Sequence, residues 1–258
     1  MNILLLPLAG FLIGLLIISL GGGGGGLYVG ILTAFFNIPP AIAASSSLAT
    51  IIPTTTIGAI SHSRAGNVNF RYGFIMIIGA VIGAIAGSLS SDFIPESIYN
   101  KITGGLLLVL ALQMFLSFRK NTSKQADIKI QQKNKLKPTT ILKALIYGFL
   151  GGAMSGLVGV SGSSPIVAGL AFLGSSALET VGTSVFVLVG ISITGFFIHL
   201  GLGNVNWKLV GLLISGTTTG AFLGPILLAK IEKKCLEKFL PPILIVITFL
   251  MGLMVVCK

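Results

Sequence analysis

His62-Ser-Arg-Ala-Gly-Asn-Val-Asn-Phe70 returns 137 residues later as His199-Leu-Gly-Leu-Gly-Asn-Val-Asn-Trp207, and the chain's two histidines fall on matched positions of this pair. The same offset carries Gly79, Gly83 and Gly87 onto Gly216, Gly220 and Gly224. Upstream, an offset of 138 carries Gly10, Gly14 and Gly21 onto Gly148, Gly152 and Gly159, and Ser45-Ser46 onto Thr183-Ser184. One single-residue indel reconciles the two offsets. Self-similarity of this length means that one structural unit is used twice. The chain is read as a first membrane repeat, residues 1–118, a basic linker, residues 119–140, and a second membrane repeat, residues 141–258.

The unit is built for lipid. Hydrophobic residues make up 53% of the 258 and charged residues only 9%, against about 25% charged in soluble domains. Runs such as Ile75–Ser88 and Gly104–Phe118 carry no charge at all. A bilayer core of about 30 Å takes roughly 20 apolar residues per helix, which leaves room for seven to nine such elements. Backbone groups in lipid need internal partners, so the spans must be helices; the period-2 alternation of barrel strands is missing. The fold class expected is an all-α polytopic membrane protein with two homologous repeats, each holding a broken or re-entrant first helix plus three transmembrane helices.

A net charge of +11 would suggest a nucleic-acid partner in a soluble protein, but its placement argues otherwise. Arg119, Lys120, Lys124, Lys129, Lys133, Lys135, Lys137 and Lys143 stand against Asp127 alone in the one long polar stretch. Basic loops stay cytoplasmic, so this is a cytoplasmic linker able to touch anionic lipid, and no nucleic acid is expected. Cys235 and Cys257 form no ligand or redox motif. The start, MNILLLPLAG, has neither a basic n-region nor a cleavage site and is not read as a signal peptide.

Each repeat opens on an interrupted apolar run. In the first, Ile3–Leu20 gives way to Gly21 through Gly26 and then to Leu27–Phe36. Six glycines cannot hold a helix against their backbone entropy. In the second, Ala144–Val158 is followed by Gly159-Val-Ser-Gly-Ser-Ser-Pro165 and then Ile166–Leu173; Ser163 or Ser164 before Pro165 predicts a hydroxyl-capped helix start. Non-helical backbone at membrane depth is tolerated only in protein or beside a cavity. Interruptions at matching places in two repeats point to a transporter's site. A helix N-terminus there offers free N–H groups and about half a positive charge, so two of them favour an anion. Three more apolar segments follow in each repeat, at 41–60, 72–91 and 98–118, then 180–199, 209–229 and 239–257. Gly79-x3-Gly83-x3-Gly87 and its copy read as close helix packing.

The candidate substrate-binding residues are Gly23, Gly24, Gly25, Gly26 and Tyr28 at the first break, and Ser161, Gly162, Ser163 and Ser164 at the second. To these are added Ser45, Ser46, Thr183 and Ser184 on the segments behind them, within a wider hydroxyl cluster that includes Ser47 and Thr50. Such hydroxyls serve an anion or bond their own helix backbone. His62 and His199 are candidates for a coupling proton, or are helix-end residues at headgroup level; Arg64 either attracts an anion or anchors the chain. Asn67–Asn69 and Asn204–Asn206 read as turn and capping residues.

Four crossings per repeat would make the repeats parallel and put the basic 230–238 loop outside. If each broken segment dips in and returns, each repeat crosses three times and the repeats are inverted. Then 62–71, 119–143 and 230–238 are all cytoplasmic, and the loop with Asp92 and Glu96 is outside. The inverted scheme fits the positive-inside rule better.

The glycine-rich break at 21–26, Ala43-Ala-Ser-Ser-Ser-Leu-Ala-Thr50, His62 with Gly66-Asn-Val, Gly83-x3-Gly87, and the second-half copy of each resemble the sulfite exporter TauE/SafE family. This is also called the toluene-sulfonate uptake permease group. The resemblance covers nearly the whole chain, although the six-glycine run is richer in glycine than the family pattern. It implies a carrier in the cell (inner) membrane for sulfite, sulfonates such as taurine or sulfoacetate, or related sulfur-containing anions. The partners expected are a small anionic substrate, the lipid bilayer and coupling protons; no cofactor and no metal is expected. An anion channel would use the same helix ends. A membrane-embedded enzyme would need a nucleophile, metal or acid–base pair, and the six acidic residues all lie in loops or at segment ends. Nothing resembles a nucleotide-binding loop.

Overall fold

The computed structural model describes residues 6–20, 24–91, 93–121, 138–202, 205–228 and 233–257. Among them are ten α-helices and no strand: α1 (Leu6–Leu20), α2 (Gly25–Ala34), α3 (Pro40–Arg64), α4 (Phe70–Ser91), α5 (Glu96–Asn121), α6 (Pro138–Val158), α7 (Ser163–Phe172), α8 (Ala177–Gly201), α9 (Trp207–Leu228) and α10 (Lys233–Val256). The number exceeds seven to nine because each interrupted run yields two helices. Five of the described helices are long and apolar enough to cross a membrane. Large side chains such as Ile57, Phe74, Ile78 and Ile82 lie exposed on the outer faces. That is the pattern of a polytopic protein whose surface meets lipid rather than water.

Glycine decides how the helices meet. Cβ atoms on Gly79, Gly83 and Gly87 of α4 would overlap the carbonyl oxygens of Leu145, Phe149 and Ala153 in α6. In return, Cβ atoms on Gly148, Gly152 and Gly156 of α6 would overlap the carbonyls of Met76, Ala80 and Ala84. The two stripes advance together, so α4 and α6 run parallel, backbone on backbone, as small residues permit in lipid. Gly216 and Gly220 of α9 stand the same way against Pro7 and Phe11 of α1, which also run parallel to it. The packing expected of the Gly79–Gly83–Gly87 stripe is therefore observed.

Other pairs run antiparallel. Gly58 meets Val185 and Gly195 meets Leu48, at 3.0 and 2.9 Å from their Cβ positions, so α3 and α8 lie side by side in opposite directions. Gly104 meets Val256 and Gly252 meets Leu108, which orients α10 against α5. Gly151 meets Ile166 and Gly169 meets Tyr147, so α7 doubles back along α6 instead of continuing it. Followed along the chain, these directions bring the ends of α3 and α5 and the starts of α4, α6 and α10 to one end of the bundle. The ends of α4, α8 and α10 and the starts of α5 and α9 lie at the other.

The turns use the residues their geometry demands. Gly66 closes α3 with φ 72°. Asn69 caps α4, its Oδ1 accepting from the Tyr72 N–H at 3.1 Å, and Asn206 caps α9 through the Leu209 N–H at 3.2 Å. The capping expected of these two asparagines holds.

Candidate functional site

Both breaks come to the same place. A Cβ on Gly25 would overlap the backbone nitrogen of Ser161 and come within 2.7 Å of the Gly159 carbonyl, and Gly26 faces Val160. The chain bends there because it can. Gly24 (φ 59°) and Gly159 (φ 68°) hold left-handed backbone, which glycine adopts without a Cβ penalty. Gly159 also presses so closely on Ala44 of α3 that a Cβ would collide with the backbone.

The crossing lies deep. The Ser47 hydroxyl on α3 donates to the Gly159 carbonyl at 2.9 Å and is shared with the Gly25 carbonyl at 3.3 Å, so one side chain ties the two breaks together. Ser47 is five residues from the midpoint of α3 at Ile52, about 7.5 Å along the helix axis.

Two helix N-termini meet here. α2 starts at Gly25 and runs antiparallel to α3; α7 starts at Ser163 and runs antiparallel to α6. Their N-caps are Gly24 and Gly162, and neither end is capped by a side chain. The helix start expected at Ser163 is correct, but the hydroxyl cap is not. Ser163 and Ser164 occupy the first two helical positions, half-buried, where glycine at the cap leaves no oxygen for the end N–H groups. Each end brings about half a positive charge. Like partial charges this close in a low dielectric repel unless a negative group joins them. Neither break contains an acidic residue. Glu179 is engaged elsewhere, accepting from the Asn69 amide at 2.6 Å.

Two of the expected hydroxyls have no protein partner: Ser46 Oγ, fully buried on α3 beside Ser47 in sequence, and Ser161 Oγ in the second break, 5% exposed. Buried polar atoms are almost always hydrogen-bonded, so each of these two is an exception. The other expected hydroxyls are placed differently. Ser45 donates to the Ile42 carbonyl and Ser184 to the Val181 carbonyl, each 2.9 Å away in its own helix. Thr183 accepts from the Asn69 N–H at 2.8 Å, at the turn joining α3 to α4. Tyr28 is fully buried, and its hydroxyl donates to Thr217 of α9 at 3.2 Å. Gly23 lies outside the described residues. Of the hydroxyl cluster, Ser47 was legible only as one serine among several; its reach across both breaks is a tertiary fact.

The histidines part company. His199 is fully buried, its Nε2–H donating to the Gly156 carbonyl at 2.9 Å, which also accepts from Ser88 at 3.1 Å. It belongs to the last turn of α8, as His62 does to that of α3, and the carbonyl it meets lies three residues before Gly159. His62 and Arg64 belong to the last turn of α3; His62 is ten residues, about 15 Å, beyond that helix's midpoint, away from the crossing.

A family model described as "Sulfite exporter TauE/SafE" matches residues 6–255. Similar proteins include "Probable membrane transporter protein YdhB" of Bacillus subtilis, 29% identical and covering 86% of this chain and 88% of its own. "Probable membrane transporter protein MJ0441" of Methanocaldococcus jannaschii is 32% identical over 77% of this chain and 73% of its own. A "Probable membrane transporter protein" of Haemophilus influenzae is 28% identical over 95% of both. No solved structure matches the chain significantly. With two glycine-containing breaks buried against each other among the described helices and a family match along almost its whole length, this chain belongs to the TauE/SafE membrane transporter family.

Proposed function

We propose that this protein is a secondary transporter of small anions, its cargo sulfite, sulfonates or related sulfur-containing anions, in the cell (inner) membrane, and that it is not an enzyme. The observation that carries the reading is the meeting of two uncapped helix N-termini at a break that holds the buried, unpartnered hydroxyl of Ser161, with the unpartnered Ser46 next in sequence to the bridging Ser47. An oxyanion between them would accept hydrogen bonds from both helix ends and both serines and cancel their mutual repulsion. A site without side-chain charge binds moderately, which suits a carrier that must also release.

The architecture that supports this is a pair of inverted repeats, residues 1–118 and 141–258, joined by the linker 119–140. The antiparallel α3–α8 pair, the parallel α4–α6 and α1–α9 pairs and the return of α7 along α6 all fit such a relation. So does the gathering of 65–69 and the basic starts and ends of α5, α6 and α10 at one end of the bundle. His199, beside the second break, is the better placed of the two histidines to carry a coupling proton.

Thermal stability of the detergent-purified protein tests the cargo. Sulfite, taurine or sulfoacetate at a hundred times its dissociation constant should add roughly 2.7 kcal/mol, and phosphate and acetate should add much less. Stabilisation by a cation or neutral solute alone would overturn the anion reading. Saturable flux in liposomes, accelerated by substrate on the far side, separates a carrier from a channel.

A further inference from the structure

The chain around the crossing carries almost no side-chain charge. Residues 1–63 contain no lysine, arginine, aspartate or glutamate, and residues 144–207 contain Glu179 alone. These two stretches supply both breaks, α1, α2, α7, α8, all of α3 before Arg64 and all of α6 beyond Lys143. Every lysine and arginine in the ten helices falls within the first or last two turns. Those whose side chains are described, Arg64, Arg71, Lys101, Lys143 and Lys208, are exposed. Lys101 follows Tyr99, which donates to the Leu157 carbonyl just before the second break. Two positions on, Lys101 stands on about the opposite face of α5.

What positive charge the crossing has is that of two helix N-termini, about half a unit each and about one unit together. Ser161 lies between them. Its backbone nitrogen abuts Gly25, the first residue of α2, and it precedes Ser163, the first of α7, by two. Its hydroxyl is buried, without a protein partner, and neutral. We propose that the crossing selects singly charged oxyanions, an organosulfonate or hydrogensulfite, and rejects the doubly charged sulfate and sulfite ions. The two ends balance one negative charge. A second would be buried with no counter-charge, which proteins avoid unless the charge is paired. The inference rests on the anion reading above and narrows it from a group of sulfur anions to one charge state. With sulfite as cargo, the ion would cross with its proton attached.

Methanesulfonate and sulfate test this. They share a tetrahedral shape, a methyl replacing one oxygen, differ by one charge, and keep their protonation across the neutral range. The full chain in detergent, at matched ionic strength, should bind methanesulfonate at least about a hundredfold more tightly than sulfate. Sulfite should weaken as pH rises through its second ionisation. It is measured relative to methanesulfonate at each pH, so that any titration of Tyr28, Tyr99, Tyr147 or His199 cancels. A lysine added at the start of α7, Ser163→Lys, should narrow the gap between methanesulfonate and sulfate by about tenfold or more; Ser164→Lys replaces it if that variant does not fold. Sulfate bound as tightly as methanesulfonate would overturn the proposal and leave the anion reading standing. So would a relative sulfite affinity that stays flat across the ionisation, or a gap unmoved by the lysine. Binding of none of the three anions would overturn the anion reading itself, and this inference with it.

Discussion

Ser46 and Ser47 are neighbours on α3 with opposite expectations on truncation to alanine. Ser47 satisfies the carbonyls of Gly159 and Gly25, so Ser47→Ala should cost about 1–3 kcal/mol, seen as a lower melting temperature without any ligand. Ser46 Oγ has no partner, so Ser46→Ala should leave the unliganded melting temperature within about 0.5 kcal/mol of wild type and diminish the shift produced by the anion. If Ser46→Ala keeps the full anion shift, its hydroxyl is not part of the site. The sequence showed these residues only as a run of small hydroxyls. Which of them spends its hydrogen bond on its own helix, which bridges the breaks and which is left over depends on what lies opposite each, a matter of packing between segments more than a hundred residues apart.

At the scale of elements, the parallel α4–α6 pair rests on carbonyls with no room for a methyl group. Gly152→Ala should push the backbones apart and cost about 1–3 kcal/mol. Gly105 on α5 and Gly211 on α9 have nothing within 4 Å of a Cβ position. Gly105→Ala and Gly211→Ala should be neutral or stabilise by up to about 1 kcal/mol, because alanine holds a helix better. Denaturation of the three variants in the same detergent checks this contrast; equal losses in all three would mean that glycine serves backbone freedom here and not close approach. The small-residue spacing in α4 was readable in the chain as a packing stripe. Its partner was not, since the complementary glycines of α6 are spaced just as well for any other neighbour.

At the scale of the whole molecule, the inverted reading places the end of α10 outside the cell and the starts of α4 and α6 inside. Cys257 is exposed at that end. In a Cys235→Ser variant, a membrane-impermeant maleimide added to intact cells should label the protein, and a reporter active only in the cytoplasm should work when inserted in the linker and fail when fused at Lys258. Labelling that requires broken cells would reverse the topology. The sequence by itself determined that this chain lives in a membrane, that it is helical and that two of its apolar runs are broken at glycine. Those facts follow from apolar run length, backbone hydrogen bonding in lipid and the conformational freedom of glycine, all local in origin. Tertiary structure alone decided that the two breaks meet against α3, that α2 and α7 bring their N-termini together, and that His199 is buried while His62 ends its helix far from the crossing. Those outcomes are set by which helix faces touch, and a linear pattern of apolar residues with lipid on every side does not encode the choice.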